Sequence, residues 1–170
     1  SDWSAGIGHL REDFGQRSFA YDDRTVASAS WRGGISDTFT GEAHAEGGGG
    51  LAQAGIGGWW LLGGAGVFNA AYAHSDYHGL QGGQWALGYS WNNRRLNVNL
   101  RTMRSHGDYR DLGALQGNLP PSISEQATVG ADLLRLGTLS ASYLRLRYPD
   151  GEDNRYASLF WSRTWSQRWS

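Results

Sequence analysis

Cysteine is absent from the 170 residues, so neither a disulfide framework nor a thiolate metal site is open to this chain. Lysine is absent too, and all 15 basic residues are arginine, a bias to which no function attaches. Set against 16 acidic residues, they leave a formal net charge of −1. That removes the electrostatic case for nucleic acid or for a polybasic membrane surface. No apolar run approaches the roughly 18 residues of a membrane helix, and mean hydropathy is low. A helical membrane protein is therefore excluded. A β-barrel is not, because its lumen face is polar and only alternate residues meet lipid. Nothing at Ser1 reads as a signal peptide, so the expectation is a mature or excised chain.

What is plentiful points to a sheet. The 26 glycines, 9 tryptophans and 8 tyrosines, with only 3 prolines, suit many strands joined by tight turns. The length is enough for one domain, residues 1–170. The clearest stretch runs from Gln84 to Met103. Trp85, Leu87, Tyr89 and Trp91 alternate with Gln84, Ala86, Gly88, Ser90 and Asn92. After Asn92-Asn93-Arg94-Arg95, Leu96, Val98 and Leu100 alternate with Asn97, Asn99 and Arg101. Period-two alternation predicts two strands with unlike faces around a turn that asparagine tolerates. About ten residues per strand, with Trp and Tyr at the ends, is the pattern of a transmembrane β-barrel.

The remaining chain divides in the same way. Strands are expected in Asp2–Phe14, Arg24–Gly34, Phe39–Glu46, Leu51–Leu62, Val67–Asp76, Glu125–Leu134, Leu139–Arg147 and Arg155–Trp165. Loops are expected over Gly15–Asp23, Tyr77–Gly83 and Ser105–Ser122, with turns at 35–38, 47–50, 63–66, 135–137 and 149–153. This predicts an all-β, antiparallel, up-and-down transmembrane barrel of about ten strands. All the longer, polar connections follow odd-numbered strands, as the long outer loops of an outer-membrane barrel do. Several faces turn charged toward those loops, at His9/Arg11, His74 and Arg145/Arg147. Strand one is expected to pair with strand ten and close the ring. The tail Ser166–Ser170 reads as the start of a further turn, so a longer parent protein is expected.

From Trp3 onward the chain resembles the barrel region of the outer-membrane usher of chaperone–usher fimbriae. The stretches that carry the resemblance are WRGGISDTFTGEAHAEGGGGLAQAGIG, GVFNAAYAHS, GGQWALGYSW with RSHGDYRDLGAL, and LGTLSASYLRLRYPDGEDNRYASLFWSRTWSQRW. They follow in order, like the series of hairpins after the usher plug. The resemblance implies a segment of a larger outer-membrane pore that secretes and assembles fimbrial subunits delivered by periplasmic chaperones. The plug and the periplasmic domains have no counterpart here. The role that carries over is pore wall, with Glu42, His44, Glu46, Gln84, Ser90, Asn97, Asn99, Arg101, Thr128 and Asp132 lining the lumen. Trp85, Leu87, Tyr89, Trp91, Leu96, Val98, Leu100, Val129 and Leu133 would face lipid. A stand-alone small barrel conducting ions fits the same pattern.

No enzyme, cofactor or metal is expected. The row Glu42/His44/Glu46 projects to one side of a strand and could hold a divalent ion, but a hydrated lumen face of mixed charge is the better reading. Asp22, Asp23, Asp76, His78, His106 and Asp108 lie in or beside expected outer loops. Ten-stranded outer-membrane proteases activate water with Asp and His at such a rim, which keeps an enzyme alternative open. A soluble β-sandwich would instead need a second sheet over Trp85, Tyr89 and Trp91.

Overall fold

The computed structural model describes residues 2–11, 21–111 and 120–163. Ten strands form one sheet in chain order, each antiparallel to the next. They are β1 (Asp2–Arg11), β2 (Tyr21–Ser36), β3 (Phe39–Gly48), β4 (Leu51–Leu61) and β5 (Val67–Tyr77). β6 (Leu80–Asn92), β7 (Leu96–Gly107), β8 (Ile123–Asp132), β9 (Thr138–Arg147) and β10 (Asp153–Ser162) follow. Phe14, most of the Gly15–Asp23 loop and the Ser166–Ser170 tail lie outside the described residues, as do the side chains of Asp22 and Asp23.

Opposed residues of an antiparallel ladder share a face, so each face can be followed from strand to strand. Phe39, Trp60, Phe68, Tyr89, Leu100, Ala127, Tyr143 and Ala157 are successive partners on one face. Ser90, Asn99, Thr128, Ser142 and Ser158 are successive partners on the other. One face is thus apolar and the other polar across the sheet. No second layer covers the apolar face among the described residues. Among the described residues, the buried hydrophobic side chains are Leu51, Ala73 and Tyr109, while Trp3 and Ile7 are 81% and 83% exposed. A water-soluble chain of this length buries most of its large apolar side chains, and this one presents them outward.

Several boundaries differ from those expected. Tyr77–Gly83 is no loop: β5 and β6 meet across His78-Gly79, whose φ angles of 51° and 84° make a two-residue hairpin turn. Gly49-Gly50, at 58° and 83°, turns β3 into β4 in the same way. Loop length therefore alternates less regularly than the sequence suggested. β2 begins at Tyr21, inside the expected loop, and bulges between Gly34 and Ser36. β7 continues to Gly107, and β10 starts at Asp153. β8 stops at Asp132, so Leu133 lies in a turn and not on the strand face assigned to it.

The turns Leu62–Gly66 and Leu133–Gly137 are built alike. In each, the first residue donates its N–H to the fifth residue's carbonyl at 2.8 Å, and a single 3₁₀ turn lies between. The second position has φ near +60° in both, occupied by Gly63 in one and Leu134 in the other. A leucine there is strained by roughly 1 kcal/mol, and Leu134 is 61% exposed, so its side chain offsets little of that. Leu134→Gly should raise stability by up to about 1 kcal/mol in denaturant titration. A loss of stability would mean that the side chain makes an important contact.

Among the described residues β1 pairs with β2 alone, and β10 with β9 alone. The expected ladder between strands one and ten does not appear among the described residues, which leave these two edges without a partner strand.

Candidate functional site: the polar face and its strap

Every residue expected to line a lumen lies on the polar face, by ladder partnership. Glu42 faces Arg32 and Gly57, His44 faces Ser30 and Gly55, and Glu46 faces Ser28 and Gln53. Gln84 faces Ser105, Ser90 faces Asn99, and Asn97 faces Asn92 and Gly130. Arg101 faces Gly88 and Gln126, and Asp132 faces Thr138. The opposite face carries Trp85, Leu87, Tyr89, Trp91, Leu96, Val98, Leu100 and Val129.

The polar face is open because its side chains lie flat over glycines of the next strand. Glu42 lies over Gly57, His44 over Gly55, Asn69 over Gly88 and Asn97 over Gly130, where a Cβ would collide with each. Arg32 stacks on Trp59 at 4.2 Å from the ring centre. Glu42, Trp59, Asn69, Ser90, Asn99 and Arg101 border a hollow of about 350 Å³ floored by Ala71, Ala86 and Gly88. Small floor residues and reclining polar groups leave a polar groove, not a packed core.

Two assigned residues do local work. The Gln84 amide donates to Ser105 Oγ at 3.0 Å, and Asp132 Oδ1 accepts the Leu134 N–H at 2.8 Å to start its turn. Glu42, His44 and Glu46 gather no metal site: among the described residues no three acidic or histidine side chains approach closely enough. The rim residues are dispersed. Asp76 is taken up by the Gln81 amide and the Gly79 N–H, both at 3.0 Å, which with two nearby histidines lower its pKa. The His106 ring packs with Tyr72 on the apolar face.

The sequence did not disclose that the chain after β7 folds back across the polar face. Asp108 donates its N–H to the Gln81 carbonyl at 3.0 Å, and Arg110 donates its N–H to Ser75 Oγ at 2.9 Å. Tyr109, 6% exposed, accepts a bond from the Gln53 amide at 2.7 Å. The Arg110 guanidinium lies 5.1 Å from the Tyr77 ring centre. Ser75 and Gln53, 0% and 7% exposed, are buried by this strap. Burial, then the charges of Asp111 and Glu46, push the Tyr109 phenol up to about 12. The readable signal was Gly82: a Cβ there would strike the Tyr109 backbone, and strand glycines often mark such close approach.

The apolar face is edged by aromatic groups with anchored polar tips. At the short-turn end Tyr89 donates its hydroxyl to the Ala65 carbonyl at 2.6 Å. Trp91 and Trp161 donate their indole N–H to Gly64 and Leu136 carbonyls at 2.8 Å. Phe39 stacks on Trp60 at 4.8 Å, and Trp60 meets Phe68 at 5.8 Å. Tyr72 and Trp85 are ladder partners farther from the short turns, and their row continues through Arg104, Ile123 and Arg147 to Asp153. Tyr143 shares the Tyr89 row, and Arg145, opposite Glu125, lies two residues beyond it. No family model, curated protein or solved structure matches this chain, so its affinities rest on these residues and their geometry.

Proposed function

We propose that this sheet is a membrane-spanning β-wall whose apolar face meets lipid and whose polar face lines a water-filled pore of the outer membrane. The observation that carries the reading is the apolar band itself. Among the described residues it is uncovered, carries the anchored rings of Tyr89, Trp91 and Trp161 at its short-turn end, and gives way to charge toward the other end of β7 to β10, at Arg104, Glu125, Arg145 and Asp153. From Leu96 to Arg104 the band runs eight positions along β7. At about 3.4 Å per residue and a tilt of about 40° it stands roughly 20 Å tall, near the ~25 Å of an outer-membrane barrel. Tyr and Trp suit the boundaries because their rings are apolar and their tips need water or a carbonyl.

Such a wall requires both free edges to be paired, since each unpaired N–H or C=O in hydrocarbon costs several kcal/mol. β1 against β10, or further strands, would supply that. Ten strands enclose little more than the eight whose side chains fill a barrel, so a folded subunit would need a wider ring. The usher resemblance extends the proposal: this wall would be a segment of a pore that passes fimbrial subunits, with those subunits and their chaperones as partners.

Refolding into detergent micelles and neutral phosphatidylcholine vesicles tests the membrane reading. The expected result is β-type circular dichroism only with detergent or lipid, a folded band on gels that shifts on boiling, and tryptophan quenching by brominated lipid. A monomer that folds in plain buffer, with tryptophans unquenched by vesicles, would sink it.

A further inference from the structure

We infer that the charged end of the apolar face, around Ile123, binds the phosphate headgroup of an anionic lipid whose acyl chain lies in the groove below. The inference rests on the membrane reading. Ile123 is the ladder partner of both Arg104 and Arg147, so the two arginines flank it on neighbouring strands, about 10 Å apart. Two residues nearer the band, Glu125 faces Arg145, which in turn faces Arg155.

Ion pairs join these side chains into a ladder. Arg104 meets Glu125 at 2.9 Å, Glu125 meets Arg145 at 3.5 Å, and Asp153 meets Arg145 at 3.0 Å and Arg155 at 2.9 Å. Four arginines, counting Arg147, stand against two carboxylates. The acids therefore position the cations without neutralising them. Arg104 and Arg155 remain 48% and 60% exposed, and Arg147 enters no ion pair among the described residues. A guanidinium has five N–H donors, and Arg104 spends one of them on Glu125, so donors remain for phosphate oxygens.

The second feature is an apolar groove of about 220 Å³ on the same face. It begins at Thr102 and Glu125 and runs down between Tyr143, Ala127, Leu100 and Leu87 to Phe68. A cationic head continuous with a hydrocarbon-lined groove matches an amphiphile with an anionic phosphate. A free anion would leave the groove unused.

The test uses the full chain in vesicles and micelles containing a mixture of phosphatidic acid and phosphatidylcholine. Bound lipid is counted by native mass spectrometry. Phosphatidic acid should be enriched about tenfold, at roughly fivefold per arginine near an anionic surface with incomplete additivity. Arg104→Gln with Arg147→Gln should abolish the enrichment, Lys at both positions should keep part of it, and Arg135→Gln at the opposite end should change nothing. Folding in pure phosphatidylcholine is scored first for every variant. Failure of the parent chain there would sink the membrane reading and this site with it. A parent that folds but shows no enrichment, or an enrichment unmoved by the double Gln variant, would overturn the site alone. Complete displacement by excess inorganic phosphate would also overturn it, because the occupant would then be a free anion.

Discussion

Leu100→Arg should cost about 2–4 kcal/mol of stability in a bilayer, while Asn99→Arg, one residue away, should cost less than about 0.5 kcal/mol. Leu100 sits mid-band between Tyr89 and Ala127 and is 43% exposed on the apolar face. In the proposed membrane wall an arginine there must carry its charge into hydrocarbon, or drag water and headgroups after it. Asn99 lies between Ser90 and Thr128 on the polar face, where a guanidinium stays hydrated. Urea unfolding from phosphatidylcholine vesicles reads both variants. In a water-soluble sheet the two changes would cost nearly the same, since both faces would meet solvent. Equal costs would therefore count against the membrane wall, and a reversed order would mean that lipid touches the polar face.

The second large effect is expected at Gly82. Any Cβ there would collide with the Tyr109 N and Cα atoms, and would come within 2.7 Å of the Asp108 carbonyl carbon. These are backbone atoms that cannot swing aside, so Gly82→Val should lift the strap off the polar face. The Gln53–Tyr109 bond and the Arg110 N–H to Ser75 bond would go with it. Amide exchange at Asp108 and Arg110 should then accelerate by about two orders of magnitude or more, while exchange in β4 to β7 stays slow. In planar bilayers the variant should conduct more than the parent. Alkaline pH should act in the same direction. The docked phenol titrates near 12 and a free one near 10. Docking is therefore unaffected below pH ~10 and weakens as pH rises from there toward ~12. Unchanged exchange in a folded Gly82→Val protein would mean that the strap contacts are incidental.

Much of this architecture was legible because β-structure writes its faces locally. A side chain's face depends only on parity within its strand, so the alternation of Trp85 to Trp91 with Gln84 to Asn92 needs no distant partner to be read. Turns were legible where a residue is chemically suited to them, as at Asn93, whose Oδ1 accepts the N–H groups of Arg95 and Leu96 at 2.8 Å. Alternation failed around Tyr77–Gly83 for a physical reason. There the polar face holds Gly82 in place of a side chain, because the backbone of Tyr109 occupies the space a side chain would take.

What the chain determines alone is therefore the strand series, its two unlike faces and the tight turns, all set by interactions a few residues long. Tertiary structure decided the rest. Gln53 and Tyr109 meet across 56 positions of sequence. The ladder from Arg104 to Arg155 needs four strands in register before its charges come within bonding distance. Nor could the pattern show how the outer strands end, because pairing β1 with β10 depends on sheet curvature and on the surrounding solvent, which alternation along one strand does not encode.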